Sequence, residues 1–102
     1  MKYRKRLQII ADMISVAIKH PKRLQIMYEA RLSYGSLLRY LNETTNAGLI
    51  IPEEDEHYSP TRKGELYLKR SKRYSRMLKL IEEIKSKADE EKQKLERMLA
   101  VS

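Results

Sequence analysis

The sequence predicts a mostly α-helical fold with one short β-hairpin. Apolar residues recur at spacings of three and four along most of the chain, which is typical of amphipathic helices. The chain has only three Gly and three Pro, which leaves little room for a many-turned β fold or a phosphate-binding glycine loop. It has no Cys, so disulfides and thiolate metal sites are excluded. No apolar run reaches the length of a membrane-spanning helix, and we expect an intracellular protein.

The charge is basic and unevenly distributed. The formal net charge is +8, and residues 1–80 hold 17 basic and 8 acidic side chains, whereas residues 81–102 hold 5 basic and 6 acidic ones. The basic residues cluster in 2–6, 19–23 and 62–79. A field of this sign attracts polyanions, so nucleic acid is the first expected partner, ahead of an anionic membrane or an acidic protein.

Three helices are predicted in the first half of the chain. The first covers 4–19 and stops before Pro21, which is expected at the first position of a second helix over 22–30. The third begins after Ser33, a candidate N-cap, and ends near Gly48. The residues expected to face inward are Leu7, Ile9, Ile10, Met13, Ile14, Ala17 and Ile18 in the first helix, Leu24, Met27 and Tyr28 in the second, and Tyr34, Leu37, Leu38 and Leu41 in the third.

A short β-hairpin is predicted after the third helix. Residues 49–51 are β-prone, 52–56 form a polar turn, and 57–59 return as the antiparallel partner. The turn contains four consecutive acidic residues, 53–56. A turn that lies against DNA would carry Lys or Arg, so this one is expected to stay away from phosphate.

A long helix is predicted from Thr61, whose hydroxyl can cap it, to about residue 99. Taking Tyr67 as position a gives a seven-residue apolar repeat over about four heptads. A lone helix of this length cannot bury its own apolar seam, so we expect a homodimeric coiled coil. The expected interface residues are Tyr74, Met77, Ile81, Ile84, Ala88, Leu95 and Met98.

The residues beside the seam do not by themselves settle whether the pair is parallel or antiparallel. Lys85 and Lys92 fall at position e, and Lys87 and Lys94 at position g, so parallel helices would oppose Lys to Lys. Antiparallel helices allow acidic residues of the partner to approach these lysines. Glu91 interrupts the seam with a carboxylate, and such a polar core position often selects register at some cost in stability.

The order of three helices, a hairpin and a fourth helix describes a winged helix-turn-helix domain. In that fold the third helix enters the major groove of DNA, and the hairpin forms a wing beside it. We therefore expect a DNA-binding winged domain over 1–65 and a dimerisation helix over 66–102.

Two segments carry a resemblance to a known group. Residues 26–34, IMYEARLSY, resemble the IMYGANLSY segment of archaeal winged-helix DNA-binding proteins. Residues 58–66 resemble that group's exit from the wing. The chain is most similar to the small archaeal chromatin-type proteins, which dimerise through an antiparallel coiled coil of the C-terminal helix. The resemblance implies a DNA-binding homodimer associated with the nucleoid in the cytoplasm.

The chain departs from that group at two places besides the acidic wing. Where the group has Gly-Ala-Asn, this chain has Glu29, Ala30 and Arg31, which adds a cation at no evident cost. Thr44 and Thr45 stand where the group has apolar residues, and they are expected to shorten the third helix.

Candidate DNA contacts are the side chains that can reach phosphates or base edges. Arg39 is the leading candidate for a groove contact, since its guanidinium can pair with guanine or with two phosphates. Beside it, Gly35 would let the backbone approach closely, and Asn42 belongs to the same helix face. The candidate set comprises Arg4, Lys5, Arg6, Lys22, Arg23, Arg31, Ser33, Tyr34, Ser36, Arg39, Arg62 and Lys63.

Several of these roles remain open from the sequence. Ser33 caps the third helix or binds phosphate, and Tyr34, like Tyr40, is a core aromatic or a DNA contact. Lys22 and Arg23 are expected to anchor phosphate at the start of the second helix. The segment 2–6 is a flexible basic arm, with or without defined contacts.

Three functional hypotheses follow. The first is an architectural DNA-binding homodimer with modest sequence preference, and the second is a site-specific transcription regulator. The third is a protein-interaction adaptor that uses the winged domain and coiled coil without DNA contact. No catalytic constellation, metal site, cofactor or small-molecule substrate is expected, because His20 and His57 lack partners at motif spacing.

Overall fold

The computed structural model describes residues 4–101, which form four helices and one two-stranded antiparallel sheet. The predicted fold class is confirmed. The chain divides into two compact units, one ending at Ser71 and one beginning at Lys72. Lys2, part of the predicted basic arm, lies outside the described residues. The elements are α1 (Arg6–Lys19), α2 (Arg23–Glu29), α3 (Tyr34–Asn46), β1 (Ile50–Pro52), β2 (Tyr58–Pro60) and α4 (Arg62–Leu99).

The central part of the apolar stripe on α1 lies in the core of the first unit, as predicted. Leu7 and Ile18 were expected to face inward, but they are 49% and 52% exposed. Both are next to an end of α1, where fewer neighbouring elements cover the helix. The core comprises Ile10, Met13, Ile14 and Ala17 of α1, Ile26, Ala30, Leu37, Tyr40 and Leu41 around α2 and α3, and Leu49 and Ile50 at the hairpin.

The inward face of α2 differs from the prediction. Ile26 and Ala30 are buried, whereas Leu24 and Tyr28 are exposed and Met27 is half-buried. Ile26 and Ala30 are four residues apart, and so are Leu24 and Tyr28. A seven-residue helix therefore offers two possible apolar faces. Packing against α1 and α3 selects one of them, and the sequence pattern does not distinguish them.

The start of α2 also differs from the prediction. Pro21 is not the first helical residue, because Lys22 is extended and the helix begins at Arg23. The backbone N–H of Tyr58 donates to the Pro21 carbonyl at 2.8 Å, and Lys22 forms an isolated β-bridge with His57. The segment before α2 thus pairs with the wing instead of extending the helix.

In α3, Leu37 and Leu41 are buried as predicted. Leu38 and Tyr34 were expected to join them, but they are 41% and 51% exposed. Successive residues of a helix are about 100° apart, so the residue after Leu37 leaves the buried face. Thr44 completes that face, because it is fully buried.

Thr44 does not shorten α3, contrary to the prediction. Its hydroxyl donates to the Tyr40 carbonyl at 2.7 Å, within the helix, and α3 continues to Asn46. The hydroxyl is therefore satisfied although the side chain is buried, as buried polar groups require.

The hairpin is confirmed, with strand bounds within one residue of the prediction. Strands β1 and β2 pair antiparallel with Ile50 opposite Pro60. The acidic tip is a 3-10 turn, Glu54–Glu56. Two of its residues have positive φ, 55° at Asp55 and 58° at Glu56, a conformation that is costly for residues with a side chain.

The predicted cap of α4 is confirmed and also fastens the helix to the hairpin. The Thr61 hydroxyl accepts a hydrogen bond from the Gly64 N–H at 3.0 Å and donates to the Gly48 carbonyl at 2.6 Å. The Thr61 N–H donates to the Leu49 carbonyl at 3.0 Å. Gly64 is buried against that carbonyl, and a Cβ built on it would overlap the Leu49 oxygen.

The second unit is helical up to Leu99, and every described residue from 72 to 101 is exposed. The exposed fractions at the predicted seam include 47% at Met77, 60% at Ile81 and 81% at Met98. Most helices in proteins are stabilised by packing of an apolar face, and none of the described residues of this unit is buried. None of the described helices is both long and apolar enough to cross a membrane.

Gly64→Ala is expected to lower the free energy of unfolding by about 1–3 kcal/mol, because the added methyl must displace backbone atoms of Leu49. Gly35→Ala makes the same change in a helix with open space around the site, so it should be neutral or stabilising by up to about 1 kcal/mol. Urea unfolding at one protein concentration compares the variants. Equal midpoints for both would contradict the close contact.

Candidate nucleic-acid interface

The outer face of α3 is the first part of the candidate interface. Because Leu37 and Leu41 point into the core, Gly35, Arg39 and Asn42 are exposed on the opposite face. This is the face that the sequence predicts. Ser36 lies at its edge and is half-buried.

Gly35 is not required by the fold. No heavy atom lies within 4 Å of a Cβ built on it, and its φ is not positive. A helical Gly costs roughly 0.5–1 kcal/mol relative to Ala. The packing of the chain itself therefore does not explain the missing side chain.

At the start of α3, the Ser33 hydroxyl acts as a helix cap. It accepts a hydrogen bond from the Ser36 N–H at 3.2 Å and donates to the Ser36 hydroxyl at 3.0 Å. Tyr34 stands beside them, half exposed, and the Arg23 guanidinium carbon lies 5.9 Å from the centre of its ring. Two residues from the candidate set, Arg23 and Tyr34, are thus brought together although they belong to different helices.

Arg39 is exposed and is supported by its neighbour Tyr40. The Arg39 guanidinium carbon lies 5.0 Å from the centre of the Tyr40 ring, a distance typical of cation–π contacts. Tyr40 itself is only 7% exposed, so of the two roles that the sequence leaves open it has the role of a core aromatic. The buried ring supports the guanidinium at the surface, and this contact leaves the hydrogen-bond donors of Arg39 unused.

Arg31 occupies the corner between α2 and α3 with a φ of 56°. A left-handed conformation costs a residue with a Cβ roughly 1–2 kcal/mol, so the expectation that Arg31 replaces Asn at no cost is wrong. Local strain of this kind persists where surrounding contacts hold it, and it is frequent at functional sites. One such contact is a hydrogen bond at 2.9 Å from the Arg4 guanidinium to the Arg31 carbonyl.

In the described part of the predicted basic arm, residues 4–6, two of the three side chains form ion pairs. Arg4 forms an ion pair with Asp12 at 2.7 Å, and Arg6 forms one with Glu43. The hydrogen bond that the Arg6 guanidinium donates to Glu43 is the largest cause, and the negative charge of Glu43 the second, of the rise in the pKa of Arg6 above its ordinary value. Lys5 is exposed, and the two arginines on either side of it hold the start of α1 against the rest of the first unit.

Arg6 and Lys63 belong to a second group of candidate residues, away from the start of α3. Both line a cavity of about 260 Å³ together with Glu43, Leu7 and Tyr67. The Lys63 ammonium donates to the Ala47 carbonyl at 2.7 Å, which is near the end of α3. Arg62, next to Lys63, is exposed.

Tyr67 closes one wall of the same cavity. Its hydroxyl donates to the Leu7 carbonyl at 2.8 Å. Partial burial of the ring raises the pKa of the Tyr67 hydroxyl above its ordinary value. This contact ties α1 to the start of α4.

The acidic wing tip contacts a residue from the candidate set. Glu56 forms an ion pair with Arg23 at 3.0 Å. The Arg23 Nε is buried without a hydrogen-bond partner in the described part of the chain, so the guanidinium is held by the wing on one side only. Lys22, the preceding residue, is exposed. The wing carboxylate therefore competes with any phosphate for Arg23.

Sequence reasoning missed these ion pairs and the exposure of Leu38. The pairs join residues that are distant in the chain, and no local pattern indicates them. The position of Leu38 could have been found from the helical period, given Leu37, Tyr40, Leu41 and Thr44 as the inner face.

No cluster of three or more metal-binding side chains occurs among residues 4–101. The Nδ1 atom of His57 lies 3.0 Å from the Asp55 carbonyl and 3.1 Å from the Glu54 carbonyl, inside the wing turn. His57 thus has a structural role in the turn.

The winged helix-turn-helix model matches residues 3–79, about three quarters of the chain. Together with the order of the helices and the wing, this match defines the class of protein. The chain belongs to the winged helix-turn-helix family, as the resemblance of its segments predicts.

Among solved structures, a DNA-binding protein from Sulfolobus solfataricus is similar over nearly the whole chain. It is Sso10a-2, with a TM-score of 0.65 and 21% identity over 97% of this chain and 100% of that chain. The O-methyltransferase NcsB1 from neocarzinostatin biosynthesis aligns with a TM-score of 0.43 and 20% identity over 62% of this chain and 23% of its own. No curated protein matches the chain in sequence.

Glu56→Gln is expected to strengthen binding to duplex DNA, because Arg23 becomes available to a phosphate. One further phosphate contact steepens the slope of log affinity against log salt by about 0.9. Glu53→Gln removes the same charge from the same turn without touching the ion pair, and it serves as the control. Fluorescence anisotropy at several salt concentrations gives both slopes, and identical slopes would show that the pair does not restrain Arg23.

Proposed function

We propose that this protein binds double-stranded DNA as a homodimer, with the outer face of α3 in the major groove. The observation that carries the proposal is the exposed α3 face on which Gly35 leaves open space and Arg39 rests on a buried ring. A bare backbone next to a supported guanidinium suits close approach to base edges and phosphates. The family and the DNA-binding neighbour from Sulfolobus solfataricus support the same function.

Phosphate contacts are expected to supply most of the affinity. The chain has a net charge of +8, and the cations Lys22, Arg31 and Arg62 are exposed around the first unit. Neutralising phosphates releases counterions from DNA whatever its sequence. We infer an architectural or regulatory role with modest sequence preference, because few side chains on α3 can reach base edges. Such a protein would be found with the nucleoid in the cytoplasm.

The second unit supports homodimerisation. All of its described residues are exposed, including Ile81, Ile84 and Leu95 at 60%, 67% and 62%. Complete burial of each such side chain stabilises by roughly 1.5–3 kcal/mol, which exceeds the contribution of an exposed ion pair such as Lys94–Glu91. The seven-residue repeat makes a second copy of the same helix the best cover for this seam.

An antiparallel orientation is part of the proposal. The lysines at positions e and g would face each other in a parallel pair and repel. An antiparallel pair brings acidic residues such as Glu82 and Asp89 towards the lysines of the other helix. A dimer of this kind carries two DNA-binding domains, so it binds neighbouring turns of one duplex or bridges two duplexes.

Binding to random duplex should weaken steeply between ~50 and ~200 mM salt. Arg39→Ala should cost about 1–3 kcal/mol of binding free energy if its guanidinium contacts a base. Arg97→Ala removes the same charge from an exposed position of α4 and should have little effect. A mobility-shift titration measures all three proteins, and no duplex binding at ~100 mM salt would leave the adaptor hypothesis instead.

Replacing Ile81 and Ile84 with Asp should convert the dimer to monomers, because two carboxylates per helix cannot be buried in an apolar seam. Ser86→Asp introduces the same side chain at an outer heptad position, and it should leave the dimer intact. Light scattering gives the solution mass. A dimer that survives the double replacement would contradict the proposed seam.

A further inference from the structure

Leu38 is an exposed apolar side chain in the middle of an otherwise polar helix face. It is 41% exposed, with Gly35 one turn before it and Asn42 one turn after it. We propose that Leu38 recognises thymine by packing against its C5-methyl group in the major groove. The inference rests on the proposed DNA binding and adds a preference for sites that contain A·T pairs.

The chemistry of the major groove favours this occupant. Base edges there present hydrogen-bond donors and acceptors, and the thymine methyl is the one apolar group among them. Packing Leu38 against polar base edges or phosphate would remove their water without replacing the hydrogen bonds. The thymine methyl is therefore the part of the groove against which a leucine can pack with a favourable change in binding free energy.

The space beside Leu38 is open on the side where a base would approach. Helical side chains lie over the turn that precedes them, so the surface near Leu38 is shaped by residues 34 and 35. Apart from the backbone of α3 itself and the adjoining residues, no protein atom lies within 4 Å of a Cβ built on Gly35. Leu38 is itself 41% exposed, so neither Tyr34 nor any other neighbour covers it completely. A base edge that meets this exposed part of Leu38 does not need to displace another side chain.

Asn42 would recognise the same base pairs through hydrogen bonds to adenine. It is exposed four residues after Leu38, and residues at this spacing are neighbours on the helix surface. The side-chain amide of Asn fits the N6 and N7 atoms of adenine in a bidentate pair. Because adenine pairs with thymine, the two side chains together favour A·T pairs along one stretch of the groove.

The test compares a duplex that contains thymine with the same duplex in which uracil replaces every thymine. This exchange removes only the C5-methyl groups. Wild-type protein should bind the thymine duplex about fourfold more tightly for each methyl that Leu38 covers. Leu38→Ala should bind both duplexes equally, with an affinity near that of wild type for the uracil duplex.

Leu24→Ala is the matched control, since Leu24 is 51% exposed on α2 and lies outside the α3 face. It should keep the wild-type preference for thymine. Fluorescence anisotropy at fixed salt gives the affinities, and far-UV circular dichroism verifies that the variants are folded.

The outcomes separate the inference from the function on which it rests. Firm binding of the wild type to both duplexes with equal affinity overturns the role of Leu38 and leaves DNA binding intact. A thymine preference that persists in Leu38→Ala also overturns it, because another group then senses the methyl. Failure to bind either duplex at low salt overturns both the inference and the proposed function.

Discussion

The burial of one face of α3 is the constraint on which the candidate interface depends. Leu37 and Thr44 are completely buried, and Tyr40 and Leu41 lie between them on the same face. A helix that is held in this way cannot rotate without exposing apolar side chains, at roughly 1.5–3 kcal/mol for each large one. The outward direction of Arg39 is therefore a consequence of core packing, and the surface proposed to face DNA needs no further contact to orient it.

The two units of the chain differ in charge and in burial. The first unit contains the buried core and most of the basic surplus, and its ion pairs tie Arg4, Arg6 and Arg23 to acidic neighbours. These three basic side chains are therefore less available to phosphate than the exposed cations of the same unit. The acidic tip of the wing forms the ion pair with Arg23 and so reduces the positive electrostatic potential at the start of α2. The second unit buries none of its described residues, which is why the proposed function includes a second copy that covers its apolar seam.

Local sequence patterns were sufficient to predict the helices and strands, but not the positions of several side chains. The hairpin and the caps at Ser33 and Thr61 follow from residue types that have few other stable roles at those positions. The inner face of α2 does not, because a short helix fits two apolar stripes and tertiary packing chooses between them. The Arg23–Glu56 pair and the positive φ of Arg31 depend on contacts between distant segments, so no local pattern contains them.

The most direct test of the account is to record backbone amide NMR shifts of the protein while duplex DNA is added. The account predicts that the largest shifts fall on α3 between Ser33 and Asn42, with smaller ones at Arg31 and at the start of α2. The seam of α4, from Ile81 onwards, should be unaffected. Shifts concentrated on that seam, or on α1 without α3, would contradict the assignment of the outer face of α3 as the DNA-binding surface.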